Sequence, residues 1–159
     1  VKLSDIVKSN KGYFMGWLGY GIYDGDETQT QHIDFLKWAK VTDDEVLVIN
    51  EYFTLTRTVL PKAEQKTFLK NIDKVIKKMP KRVLTGNFNE DAALEWQMLA
   101  ALFVDNRMPI PRIIKNIGLN ACDYLLYEHS DDFREPSKRR AKIKAFITKL
   151  KKLRVLRNV

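Results

Sequence analysis

The sequence predicts a mainly α fold, a compact bundle of about six to seven helices with a Gly/aromatic loop near the N-terminus. Three observations carry this. Apolar residues return at intervals of three and four over Ala63–Met79, Ile113–Leu125 and Ile143–Leu153, the spacing that gives a helix one apolar face. Ala92–Val104 is apolar almost throughout, which marks a central helix buried on most sides. One stretch, Gly16–Asp26, breaks the pattern with three glycines within six positions, a fourth at Gly25 and aromatics between them; such a composition requires a tight, specified backbone path. At 159 residues a single core buries roughly 70% of the surface of the unfolded chain. Residues 1–159 are therefore read as a single helical domain with a basic terminal helix at 137–157.

Taken in order, Leu3, Ile6 and Val7 give a short helix within 3–14, with Gly12 as its C-cap. The Gly/aromatic loop follows, with short strands around 17–23 as an alternative form. Asp26 or Thr28 caps a helix carrying Ile33, Phe35, Leu36, Trp38 and Ala39 to about Lys40. Thr42-Asp43-Asp44-Glu45 has the form of a capping box. The β-branched and aromatic run behind it, Val46–Thr56, leaves 46–58 open between helix and strand, and the box favours helix.

Pro61 occupies a first-turn position and one amphipathic helix runs to Met79, where Pro80 ends it. Thr85-Gly86-Asn87 marks a turn, and Asn87 or Asn89 caps the central helix. Asn106–Pro111, with two prolines, is a short connection to a helix reaching about Tyr127. Gly118 inside that helix points to a close helix–helix approach. Glu128–Pro136 reads as a polar, acidic linker, and Ser137 caps the terminal helix.

The net charge of +8 is unevenly placed. Ten of the 28 Lys and Arg residues lie within 137–159 with no acid among them, leaving 18 bases against 20 acids in the rest of the chain. A basic appendix on a near-neutral body implies a local anionic contact rather than a protein that is basic all round. Along the terminal helix, Lys138, Arg139, Lys142, Lys149 and Lys152 form the candidate row for phosphate or an acidic partner. No stacking aromatics interleave with them, so single-strand recognition gains no support. No apolar run approaches the roughly 20 residues needed to cross a bilayer, the start of the sequence lacks the long apolar core of a signal peptide, and the single cysteine, Cys122, has no partner within the chain. A cytoplasmic protein with no membrane partner is expected.

Catalytic motifs are scarce. Cys122 with His32 or His129 could form a thiol–imidazole pair, but Cys122 sits on an apolar-periodic helix, where an inert core thiol is usual. Two histidines, no CxxC and no HExxH leave no transition-metal pattern. Asp24-Gly25-Asp26-Glu27 begins like a calcium loop, yet Gln29, Gln31 and Phe35 do not continue the ligand ladder. Gly19-x-Gly21 lacks the third glycine and the lysine of a phosphate loop. No cofactor, metal, small-molecule ligand or enzymatic activity is expected.

Met15-Gly16-Trp17-Leu18-Gly19-Tyr20-Gly21-Ile22-Tyr23-Asp24-Gly25-Asp26 resembles the N-terminal signature M-G-x-W-G-x-G-x-F-D-x-D of a family of small bacterial proteins encoded beside polymorphic toxins. The tryptophan stands one place early, with Leu18 in the family's Trp position, and fourteen residues precede the motif. The overall pattern is similar to immunity proteins of contact-dependent growth inhibition systems. The resemblance implies a protein that binds the C-terminal domain of a cognate toxin and occludes its active site. For a nuclease toxin with a basic cleft, the complementary surface is the acidic end: Asp24, Asp26, Glu27, Asp43, Asp44 and Glu45. The alternative is a nucleic-acid-binding or regulatory protein acting through the basic C-terminal helix.

Overall fold

The helix with the fewest polar residues becomes the axis of the molecule. The computed structural model describes residues 21–22, 26–41, 59–81 and 89–157, of which 26–30 are described in backbone only. Among these residues six α-helices follow one another: α1 (Asp26–Trp38), α2 (Lys62–Lys70), α3 (Ile72–Lys78), α4 (Glu90–Asn106), α5 (Arg112–Tyr124) and α6 (Pro136–Lys152). A π-helical turn, Leu125–His129, and a 3-10 turn, Ser130–Asp132, join α5 to α6. The expected helices at 3–14 and 43–58, the strand alternatives at 17–23 and 46–58, and the turn at 85–87 lie wholly or mostly outside the described residues.

α4 starts where the Asn89 side-chain oxygen accepts a bond from the Ala92 amide at 2.8 Å, satisfying one of the donors a helix leaves open at its start. Trp96, Met98, Leu99, Leu102 and Phe103 are all within 1% of full burial, and α1, α5 and α6 pack around them. A close approach lies at Gly118 of α5. A Cβ there would stand 3.0 Å from Ala100 Cβ and 3.5 Å from Leu150 Cδ2, so α4, α5 and α6 meet where a side chain is missing.

The stretch expected as one helix from Pro61 to Met79 is two, α2 and α3, separated by Asn71 at φ −105° and ψ 14°. The Asn71 side-chain Nδ2 donates to the Ala39 carbonyl at 2.9 Å, so this residue serves the open C-terminal end of α1 as well as its own helix. Asn106 has a similar bridging role. Its oxygen accepts from the Leu60 amide at 2.6 Å and its nitrogen donates to the Leu102 carbonyl at 2.7 Å.

α6 departs from expectation at both ends. It begins at Pro136, with Glu135 rather than Ser137 in the cap position, because the fixed φ of proline suits a first helical residue. It ends at Lys152, short of 157. Pro109 and Pro111 keep Ile110 extended, leaving its N–H and C=O without helical partners, and the tail supplies them: Ile110 N donates to Arg154 O at 2.9 Å and Leu156 N to Ile110 O at 2.8 Å. This parallel bridge, Ile110 to Val155, is the β-pairing seen among the described residues. Lys115 of α5 fixes the join, its ammonium donating to the carbonyls of Lys151 and Leu153 at 2.9 and 2.8 Å, a cation at a helix C-terminus. No described helix is long and apolar enough to cross a membrane.

Candidate functional site

Arg139 is the first correction to the basic row. It is fully buried, whereas Lys138, Lys142, Lys149 and Lys152 are exposed. The helix phase explains the split, and it was legible in the sequence: Arg139, Ile143, Phe146 and Leu150 are spaced four, three and four apart, so the arginine belongs to the apolar stripe. Its guanidinium stands 5.1 Å from the centre of the Phe133 ring and donates to the carbonyl of Gly21 at 3.1 Å. Gly21 and Ile22, with the backbone of Asp26 at the start of α1, are the described part of the Gly/aromatic signature, and Ile22 packs against the core. The middle of that signature is thus anchored to the terminal helix.

Phe133 continues the chain of contacts, meeting the His129 ring edge-to-face at 5.0 Å. His129 closes the π-helical turn, whose extra residue shifts the helical phase and leaves the side chain buried. Its Nδ1 lies 2.6 Å from Glu90 Oε1 at the start of α4. Burial first, and then the charge of Arg139, push His129 down to about 4, so the ring is neutral at physiological pH. Burial, Asp132 and Asp91 raise Glu90 above the usual carboxylate range. The segment expected as a polar linker is therefore a packed corner. Ser130 Oγ donates to Leu125 O at 3.2 Å, Arg140 Nε donates to Leu126 O at 3.4 Å, and Arg140 pairs with Asp131.

Glu90, His129 and Asp132 place one imidazole nitrogen and two carboxylate oxygens within 4.8 Å of one another, a donor set suited to a divalent cation. The Arg139 charge acts on the same imidazole, which opposes a second positive charge there. The arrangement is that of a latch joining α4, the π-turn, α6 and the signature.

The other titratable candidates are held in their uncharged forms. Burial pushes the Cys122 thiol up to about 12, and its polar neighbour is Gln97 Nε2 at 3.6 Å; at neutral pH it is a thiol and not a nucleophile. His32 is fully buried and burial lowers it to about 4. Of the acidic set, Asp26 and Glu27 stand at the start of α1, while Asp24, Asp43, Asp44 and Glu45 lie outside the described residues.

A second cationic feature had no signal in sequence spacing. Where the tail pairs with Ile110, a cleft of about 460 Å³ opens between Arg112, Val155, Leu156 and Arg157. It adjoins another of about 330 Å³ lined by Pro109, Arg154, Val155, Leu156 and Arg157. Arg112 is over forty residues from Arg154 in sequence, and only the bridge brings them together. Comparison of the chain with protein-family models, with curated proteins and with solved structures gives no match.

Proposed function

We propose that this chain is an immunity protein, a non-catalytic binder that neutralises a cognate toxin domain, with a nuclease as the expected toxin, by covering its active site. The observation that carries the reading is the Arg139–Gly21 contact at 3.1 Å. It gives the signature that resembles the immunity-associated family a scaffolding role, and so leaves recognition to surface residues. The neutral states of Cys122, His32 and His129 are consistent with ionisable groups spent on the interior rather than on chemistry. The acidic residues Asp24, Asp26, Glu27, Asp43, Asp44 and Glu45 are the proposed contact set for a basic nuclease cleft.

The test is co-expression with the C-terminal domain of the toxin encoded next to this chain. Survival of the cells and a one-to-one complex on purification are expected. Alanine at Asp24, Asp26 and Glu27 together weakens that complex, chiefly through a slower association rate at low salt. Killing that proceeds unchanged in the presence of this protein overturns the proposal.

A further inference from the structure

The exposed bases of α6 do not form one row. At about 100° per residue, Lys138, Lys142, Lys149 and Lys152 fall within a sector of roughly 80° on one flank of the buried stripe, and Lys144 and Lys151 lie on the other flank. All six are exposed. The solvent-facing sector between the flanks carries Ser137, Ala141, Ala145 and Thr148, also exposed, with no acid. Just beyond the C-terminal end of α6 the tail lines two adjoining clefts, one with Arg112 and Arg157 and the other with Arg154 and Arg157. The cationic surface thus runs along α6, roughly 25 Å at 1.5 Å per residue, and continues onto the tail.

We infer that this surface, the two lysine flanks of α6 together with the arginine cleft at its end, binds the phosphate backbone of double-stranded DNA. The side-chain types select this partner. Protein interfaces are depleted in lysine and are anchored by aromatic residues and arginine; here lysines predominate, and among the described residues no exposed aromatic belongs to α6 or the tail. Single strands are held by stacking on aromatic rings, which the same absence disfavours on this face. A duplex backbone needs only a spread of Lys and Arg at phosphate spacing. A helix of about 10–12 Å diameter with cations on both flanks matches a major groove about 12 Å wide with a phosphate strand along each edge. The arginine forks at the end can each take a phosphate through two parallel hydrogen bonds. The contacts are to phosphate, so recognition is independent of base sequence. Lys138, ion-paired with Glu135 at 2.8 Å, contributes least. This inference uses a different surface from the toxin-binding proposal and does not rest on it.

Fluorescence anisotropy with labelled 20-base-pair DNA and RNA duplexes, a single strand of the same length and anionic lipid vesicles tests it. Duplex binding is expected at 50 mM salt, with log affinity falling against log salt at a slope of about −5, corresponding to five or six neutralised phosphates. Because the fit is to the wide major groove of B-form DNA and the A-form groove of RNA is deep and narrow, the DNA duplex is expected to bind more tightly, and a preference for the RNA duplex overturns the inference. The triple variant Arg112→Ala, Arg154→Ala, Arg157→Ala lowers affinity about tenfold or more and flattens the slope by about two to three; Lys142→Glu with Lys149→Glu does the same from the helix. Circular-dichroism melts confirm that both variants remain folded. No duplex binding at 50 mM salt overturns the inference. So does tighter binding to the single strand or to vesicles, or an arginine variant that binds like the parent.

Discussion

The two ends of α6 carry similar residues to opposite effect. At its start a basic side chain, Arg139, is sealed inside the protein against Phe133 and the Gly21 carbonyl. At its far end Arg154 and Arg157 stand at an open cleft with Arg112. A buried guanidinium gains from its partners and loses its hydration, so it serves the fold. An exposed one keeps its hydration and remains available to an incoming anion. Counting charge along a sequence merges these two cases, and helix phase separates them.

The largest expected effect comes from breaking the buried end. Arg139→Ala removes a fully packed side chain and its bond to Gly21, costing about 3 kcal/mol in urea unfolding, while Lys142→Ala on the same helix stays within about 0.5 kcal/mol. The variant also removes the charge that helps hold His129 down, so the His129 titration followed by NMR moves upward from about 4. Equal stability of the two variants would erase the distinction between buried and exposed bases.

The pH dependence, which sums two histidines, is expected to be of the same order. His32 and His129 both titrate at about 4 in the folded protein against 6.5 unfolded. With the folded values depressed, the unfolded chain binds more protons between these limits, so stability is complete above about pH 6.5 and is lost as pH falls towards 4. His32 alone contributes about 3 kcal/mol to this loss. The partial exposure of the Glu90 side of the latch makes the His129 share smaller. Denaturant midpoints measured from pH 7.5 to 4 check the slope, and a flat profile would remove the buried-neutral assignment.

Further along the helix, Gly118→Val drives a branched side chain into Ala100 and Leu150 and lowers stability by about 2 kcal/mol. Adding Ala100→Gly returns part of it, and a double variant no better than the single would show that the contact is not the cause. The smallest effect belongs to the exposed end. Lys115→Met removes the two bonds that close the α6 C-terminus at a cost of about 1 kcal/mol. Its local signature is faster hydrogen exchange of the Leu156 amide, which Ile110 otherwise protects.

Much of the helical frame was legible because it depends on neighbours in sequence. The three-and-four spacing gave α5 and α6, the apolar run gave α4 as the axis, and Asn89 and Gly118 do at the cap and the crossing what their chemistry suggests. The breaks were less legible. Nothing local marks Asn71 as the point where one helix becomes two, since its side chain answers to Ala39 in another helix. The latch was hidden for the same reason: Glu90, His129 and Arg139 sit in three different elements with Phe133 in the connection between them, and a π-turn inside an apparently polar linker aligns them.

The sequence by itself therefore determined the class of the fold, the order of α4 to α6 and the sidedness of the terminal helix, because periodicity and capping act over a few residues. Tertiary structure decided where α6 stops and that Arg112 joins Arg154 and Arg157. Those outcomes depend on the N–H and C=O of Ile110, which two flanking prolines keep out of a helix and the tail pairs. Contacts of that range have no period for a sequence to display.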